Sequence, residues 1–236
     1  MSAPPLLLLP GLLCDAALWR AQTEHFGPGR EVRVADMTGA DTMAAMAESV
    51  LAQAPPGGFD LAGLSMGGYC ALEIMRRAPE RVRRLALLDT SARPDTDEQR
   101  QRRLDLIELS HRGRFRGVTE ALMPLFIHPG RLCDKALVAE VTAMSRHVGP
   151  EAFRRQQAAI MSRPDSRPGL GQIRCPTLVL CGRQDRLTPV EAHVEIRDAI
   201  PGAELVVVED CGHLATMERP EAVNRAMAGW LGRGSG

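Results

Sequence analysis

A serine hydroxyl is a poor nucleophile unless its surroundings expose it, deprotonate it and stabilise the charge it creates. Gly63-Leu64-Ser65-Met66-Gly67-Gly68 has the residue types for this. The short apolar run Phe59–Leu64 precedes Ser65, and an amphipathic helical pattern over Met66–Ala78 follows it. A G-x-S-x-G segment between a strand and a helix bends sharply enough to lift the serine out of the sheet. Side chains two residues either side would collide in that bend, which accounts for Gly63 and Gly67. The same bend leaves the amide of Met66 at a helix N-terminus, aimed where an oxyanion would form. Without that context the motif is a glycine-rich turn with a solvated serine.

The nucleophile needs a base. The chain has six histidines. His25 and His193 fall in helical patterns, and His111, His128 and His147 in a long helical stretch. His213, in Asp210-Cys211-Gly212-His213-Leu214, alone follows the last apolar strand run. A neutral imidazole there can take the proton of Ser65 and return it to a leaving group.

These residues must be carried by a scaffold. Apolar runs ending in turn residues read as strands over Pro5–Leu9, Glu31–Ala35, Phe59–Leu64, Arg84–Asp89, Thr177–Cys181 and Glu204–Val208. Helical patterns lie between them at Ala16–His25, Thr42–Gln53, Met66–Ala78 and Glu191–Ala199, and a final helix opens at Pro220 and runs to Leu231. This alternation predicts an α/β fold with a mostly parallel six-stranded sheet flanked by helices. Between Ala92 and Gln172 there is no strand signal. Helices are expected near Asp95–His111, Gly117–Ile127, Asp134–His147 and Glu151–Met161. The organisation expected is a core of residues 1–91 and 173–236 with a helical lid inserted at 92–172, and a frayed Gly232–Gly236 tail.

The chain resembles the α/β-hydrolase fold family over nearly its whole length. The resemblance rests on the elbow around Ser65, the histidine loop and Glu218-Arg219-Pro220 after it, and Gly182-Arg183-Gln184-Asp185 followed by Thr188-Pro189. It implies a serine hydrolase with Ser65, Asp185 and His213 as catalytic triad, in the order nucleophile, acid, histidine. Asp89, ending the preceding strand, stays open as an alternative acid, because some family members place the acid there. The resemblance also implies a second oxyanion donor just after the first strand. Here Pro10-Gly11-Leu12-Leu13 stands where the family usually has a His-Gly turn, so the oxyanion hole is expected to be the amides of Leu12 and Met66, with Leu13 as donor if the turn is shifted by one. Asp15 is expected to cap the next helix, Trp19 to pack in the core, and Asp36 to serve a turn or cap. The hairpin that usually opens the family's sheet has no counterpart before Pro5, so an all-parallel six-stranded sheet is expected, one edge of which a partner subunit would protect.

Composition excludes other classes. The 236 residues are 44% hydrophobic and 25% charged, with 29 basic against 29 acidic residues, so no nucleic-acid or membrane partner is indicated. No run reaches the ~18–20 apolar residues of a membrane span, and Met1–Pro5 lacks the basic start of a signal peptide. The six cysteines form no Cys-x-x-Cys pair, so a reduced, cytoplasmic protein is expected. No phosphate-binding loop, zinc helix or dinucleotide fingerprint is present, and no metal or cofactor is implied.

The insertion carries 14 of the basic and 10 of the acidic residues. Its cluster Arg100, Arg102, Arg103, Arg112, Arg114 and Arg116 would either attract an anionic acyl group or form a solvated face paired with Asp105 and Glu108. Leu104, Ile107, Leu122, Met123, Leu125, Phe126, Met144 and Met161 are expected to face the sheet, some lining an aliphatic, methionine-rich pocket. The expected activity is cleavage of carboxylic esters of small or acyl-chain substrates through an acyl-enzyme, with lactonase and thioesterase as near alternatives. Lyase, synthase or perhydrolase use of the same triad, or a catalytically silent binding protein, are the alternatives of another class.

Overall fold

A computed structural model of the chain describes residues 3–113 and 115–233. Met1, Ser2, Arg114 of the basic cluster and Gly234, Ser235 and Gly236 of the expected tail lie outside the described residues. Six strands, β1 (Leu6–Leu9), β2 (Val32–Val34), β3 (Phe59–Leu64), β4 (Val82–Leu88), β5 (Thr177–Gly182) and β6 (Glu204–Val208), form one sheet in the order β2-β1-β3-β4-β5-β6. All five pairings are parallel. β1, β3 and β5 are buried along their whole length, as their unbroken apolar runs require when helices cover both faces. The edge strands β2 and β6 are only partly buried.

Successive residues of each strand feed opposite cores. Leu7, Leu9 and Leu61 pack on one face with α2 (Met43–Gln53), α3 (Met66–Arg77) and α8 (Val190–Ala199). Leu6, Leu8, Ala62 and Leu64 pack on the other with Trp19 and α10 (Pro220–Leu231). The expected first helix divides into a 3-10 turn over Ala16–Trp19 and α1 (Arg20–Phe26). Asp15 caps the turn by accepting from the Ala17 amide at 2.9 Å, and Trp19 is fully buried.

The connection from β4 to β5 is helical but differs in detail from expectation. It contains α4 (Asp97–His111), α5 (Met123–Phe126), α6 (Lys135–Met161) and α7 (Arg167–Leu170). The helix expected over Gly117–Ile127 shrinks to the single turn of α5, opened by Pro124 in its first turn, a position where a missing N–H costs little. The two helices expected at Asp134–His147 and Glu151–Met161 are both present within α6, divided by a kink at Gly149, whose φ of 75° and ψ of 174° are non-helical. Val141 and Met144 before the kink enter one core, whereas Ala159 and Ile160 near the end of α6 enter the other. The helix thus spans from one face of the sheet to the other. Met123 and Met144 are buried, but Leu104 and Leu122 are exposed rather than facing the sheet. α4 carries polar residues around much of its circumference, which leaves it no continuous apolar stripe to bury.

Candidate active site

The order of the sheet reverses between β1 and β3: β2 lies outside β1, and the later strands continue outward from β3. In parallel sheets this is where loops diverge and leave a crevice at the carboxyl ends of the strands. Ser65 stands at that end of β3. Its φ of 55° and ψ of −114° are strained for a residue with a side chain. The neighbourhood holds the strain in place. Ser65 N donates to the Leu88 carbonyl at 3.0 Å, and the Ser65 carbonyl accepts from Gly68 N at 2.9 Å, Tyr69 N at 3.2 Å and the Thr90 hydroxyl at 2.8 Å. A Cβ on Gly63 would run into the Gly67 carbonyl, and one on Gly67 into the Leu9 carbonyl. The two glycines therefore permit the elbow to close against β1.

The loops after β5 and β6 bring Asp185 and His213 together. His213 Nδ1 lies 2.8 Å from Asp185 Oδ2, and both residues are buried. A carboxylate only accepts, so in the neutral imidazole Nδ1 carries the proton and Nε2 keeps its lone pair. Asp185 Oδ1 accepts from the amides of Leu187 (2.8 Å) and Thr188 (3.1 Å), and Oδ2 also accepts from the Thr188 hydroxyl at 2.6 Å. Burial pushes the Asp185 carboxyl up, but the charge and hydrogen bond of His213 together with the Thr188 bonds outweigh it and hold the group below the usual carboxylate range. No hydrogen bond to the Ser65 hydroxyl occurs among the described residues; Ser65 is joined to this pair through the framework alone.

Asp89, the alternative acid, does not bond to His213. Its Oδ1 accepts from Gly182 N at 2.9 Å and its Oδ2 from Ala215 N at 3.3 Å, tying the end of β5 to α9 (Ala215–Glu218). Burial, with the charge of nearby Asp185, raises its carboxyl well above the usual range.

Gly11 faces the nucleophile: a Cβ there would lie 3.5 Å from Ser65 Cβ. Of the two amides considered after β1, that of Leu13 is engaged by Gln156 Oε1 at 3.1 Å. The amides of Leu12 and Met66 have no partner among the described residues. Asp36 accepts from Thr38 N at 2.9 Å in a turn, as expected.

Several supporting residues escaped sequence reasoning. His193, buried in α8, accepts from Thr90 N at its Nε2 (2.8 Å), so its Nδ1 donates to the Pro189 carbonyl at 3.2 Å. Burial pushes its imidazole down to about 4. Glu218 accepts from His128 N at 2.7 Å and Gly212 N at 2.9 Å, while Phe126 O accepts from His213 N at 3.0 Å. The histidine loop is thereby fastened to the insertion. Burial raises the Glu218 carboxyl despite those amides. Only Thr188 and Glu218 lay within quoted motifs; His193 and Gln156 sit in ordinary helical patterns that reveal no long-range partner.

The basic cluster is largely engaged within the protein. Arg103 donates to Asp95 at 2.7 Å and to Gln157 at 2.7 Å, Arg112 pairs with Glu108, and Arg100 and Arg116 donate to the carbonyls of Met161 and Phe115. Asp105 accepts from Gln101 at 2.9 Å instead of from an arginine. Among the described residues, no three His, Cys, Asp or Glu side chains are grouped to hold a metal ion, and no helix is long and apolar enough to cross a membrane.

Known proteins share this architecture. The malate-bound structure of a thermophilic esterase from Thermogutta terrifontis matches with a TM-score of 0.88 and 32% identity, covering 98% of this chain and 90% of that one. An enol-lactonase from Burkholderia xenovorans shares the fold at a TM-score of 0.89 and 24% identity, over 99% of this chain and 93% of that one. A 2-hydroxy-6-oxononadienedioate/2-hydroxy-6-oxononatrienedioate hydrolase of Klebsiella pneumoniae is 30% identical over 82% of this chain and 69% of its own length. The profile of the alpha/beta hydrolase fold matches residues 4–220. With its parallel six-stranded sheet and its helices on both faces, the chain belongs to the alpha/beta hydrolase fold family.

Proposed function

We propose that this hydrolase cleaves carboxylic esters of small or acyl-chain substrates through an acyl-enzyme formed on Ser65. The observation that carries the reading is the buried Asp185–His213 pair, 2.8 Å apart, at the same sheet edge as a serine held at φ 55°. In this mechanism His213 Nε2 takes the Ser65 proton as Oγ attacks the ester carbonyl. Asp185 keeps the imidazole in the tautomer that can accept it. The tetrahedral oxyanion receives the amides of Leu12 and Met66, the alcohol departs with the proton from His213, and water repeats the sequence on the acyl-enzyme. Hydrogen bonds between nucleophile and base commonly tighten only around substrate, so an unbonded Ser65 hydroxyl is compatible with the role. Similarity to the Thermogutta terrifontis esterase supports the ester as substrate class. Residues 92–172 would act as the lid over a core of residues 1–91 and 173–236, in a cytoplasmic enzyme whose partner is its small acyl substrate.

The test is a panel of short p-nitrophenyl esters, lactones and acyl-thioesters with the native protein and Ser65→Ala. The native protein is expected to turn over the esters fastest and to accept one fluorophosphonate on Ser65. Ser65→Ala should stay folded and lose kcat by roughly 10⁴–10⁶-fold. Turnover retained in Ser65→Ala, or a native protein that neither reacts with the phosphonate nor hydrolyses any ester, would overturn the proposal.

A further inference from the structure

The turn that carries Leu12 has few groups of its own to hold its shape. Pro10 has no amide N–H and no polar side chain, Gly11 has no side chain, and Leu12 and Leu13 offer only aliphatic ones. Among the described residues, Cys14 alone braces it locally, its N–H donating to the Gly11 carbonyl at 3.1 Å and its thiol, a weak donor, to the Leu12 carbonyl at 3.5 Å. Leu13 lies at φ 60°, a region that residues with a branched hydrocarbon side chain rarely enter. A buried Leu13 N–H without a partner would pull the turn toward some other arrangement.

The partner comes from the insertion. Gln156 lies on α6 beyond the Gly149 kink, and it is fully buried. Its Oε1 accepts from Leu13 N at 3.1 Å, and its Nε2 donates to the Met37 carbonyl at 3.3 Å. One side-chain amide thus bridges the turns that follow β1 and β2. The same half of α6 is fixed to the second of these turns, because Arg155 donates to the Thr38 carbonyl at 2.8 Å. Just beyond α6, Ser162 Oγ accepts from Met43 N at 2.8 Å. Holding the Leu13 N–H fixes the plane of the Leu12–Leu13 peptide. It leaves the preceding amide, that of Leu12, as the one without a partner in a turn that faces Ser65.

We propose that Gln156 is a positioning residue for the reaction, which holds the Leu12 amide in place as oxyanion donor; this rests on the serine-hydrolase reading above. The second half of α6 is then part of the catalytic frame.

Two substitutions separate this from a packing role. Gln156→Met keeps length and volume but cannot accept from Leu13 N. Gln156→Glu keeps an acceptor there, and burial favours its protonated form, whose hydroxyl can still donate to the Met37 carbonyl. Gln156→Met is expected to lower kcat about ten- to a hundredfold, less than or equal to the loss of an oxyanion donor, with KM within about twofold. Its affinity for a trifluoromethyl ketone analogue of the ester should fall by the same factor. Gln156→Glu should keep kcat within about fivefold of native at pH 7, and this variant decides the matter if Gln156→Met fails to fold. A folded Gln156→Met with native kcat and native analogue affinity overturns the inference, as does a Gln156→Glu that folds and loses activity as fully as Ser65→Ala. Ser65→Ala assayed alongside distinguishes the two ideas: if it is inactive and the Gln156 series is flat, only the positioning role fails; if it is active, the underlying reading fails.

Discussion

Asp185 and Asp89 have the same side chain, both are buried, and both end up near the same loops, yet their surroundings give them opposite characters. Asp185 faces an imidazole, a hydroxyl and two amides, and these favour its charge. Asp89 faces two amides only, with a second carboxyl close by, and burial prevails. In the proposed mechanism only the first can orient His213. Asp185→Asn is therefore expected to lower kcat by roughly 10³–10⁴-fold, because an amide in that place no longer fixes the imidazole tautomer. Asp89→Asn should weaken folding but leave kcat within about tenfold, since its oxygens serve the amides of Gly182 and Ala215. Steady-state kinetics on short esters with both variants checks the assignment, and reversed effects would make Asp89 the acid.

Strain is not spread evenly over the elements. Among the described residues, the non-glycine positive φ angles are those of Leu13, Ser65, Asp89 and Asp210. They fall in the loops after β1, β3, β4 and β6, all at the carboxyl edge of the sheet. Such conformations persist only where neighbours over-determine them, as the bonds to Ser65, Leu13 and Asp89 do. Glycines mark two different needs in these elements. At Gly67 the obstacle is backbone, because a Cβ would run into the Leu9 carbonyl; at Gly149 there is space, and the obstacle is its φ of 75°. Gly149→Ala should thus cost about 1–3 kcal/mol, because φ 75° with ψ 174° is a region that residues with a side chain scarcely enter. Gly67→Ala should cost about 3 kcal/mol or more, because β1 must move away from the elbow. Urea unfolding of the two variants tests the order, and equal losses would contradict it.

For the whole molecule, stability against acid depends on groups held away from their ordinary ionisation. The His193 imidazole is pushed down to about 4 in the native protein. As pH falls below the ordinary histidine value of about 6.5, the unfolded chain takes up a proton that the native one refuses. His193 therefore contributes stability that is complete above about 6.5 and is lost as pH falls toward 4, on the order of 3 kcal/mol. The depressed carboxyl of Asp185 acts in the same direction at lower pH, while the raised carboxyls of Asp89 and Glu218 act in the opposite one. His193→Gln keeps an acceptor for the Thr90 amide and removes the titration. Between about pH 7 and pH 4.5 it should lose less stability than the native protein does. Parallel denaturant curves showing equal losses would remove His193 from the account.

The sheet, the elbow and the order of its chemistry-bearing loops were legible in the residues themselves. They depend on local properties: unbroken apolar runs such as Leu6–Leu9 make doubly covered strands, and glycines at 63 and 67 permit one kind of turn. The pairing of Asp185 rather than Asp89 with His213 was legible only through the resemblance of Gly182–Asp185 and Thr188-Pro189 to the family's acid loop, because the two carboxyls themselves both follow apolar strands and differ in what faces them after folding. The choice between Leu12 and Leu13 as free amide rested on Gln156, which is 143 positions from Leu13. The inserted helices were the least legible part, with α4 left partly exposed and the helix expected over Gly117–Ile127 reduced to the single turn of α5. Local periodicity specifies which faces an element can bury. Only three-dimensional packing decides which distant polar group meets which, and in this protein those meetings settle how the buried carboxyls ionise and which amide of the Leu12–Leu13 turn is left without a partner.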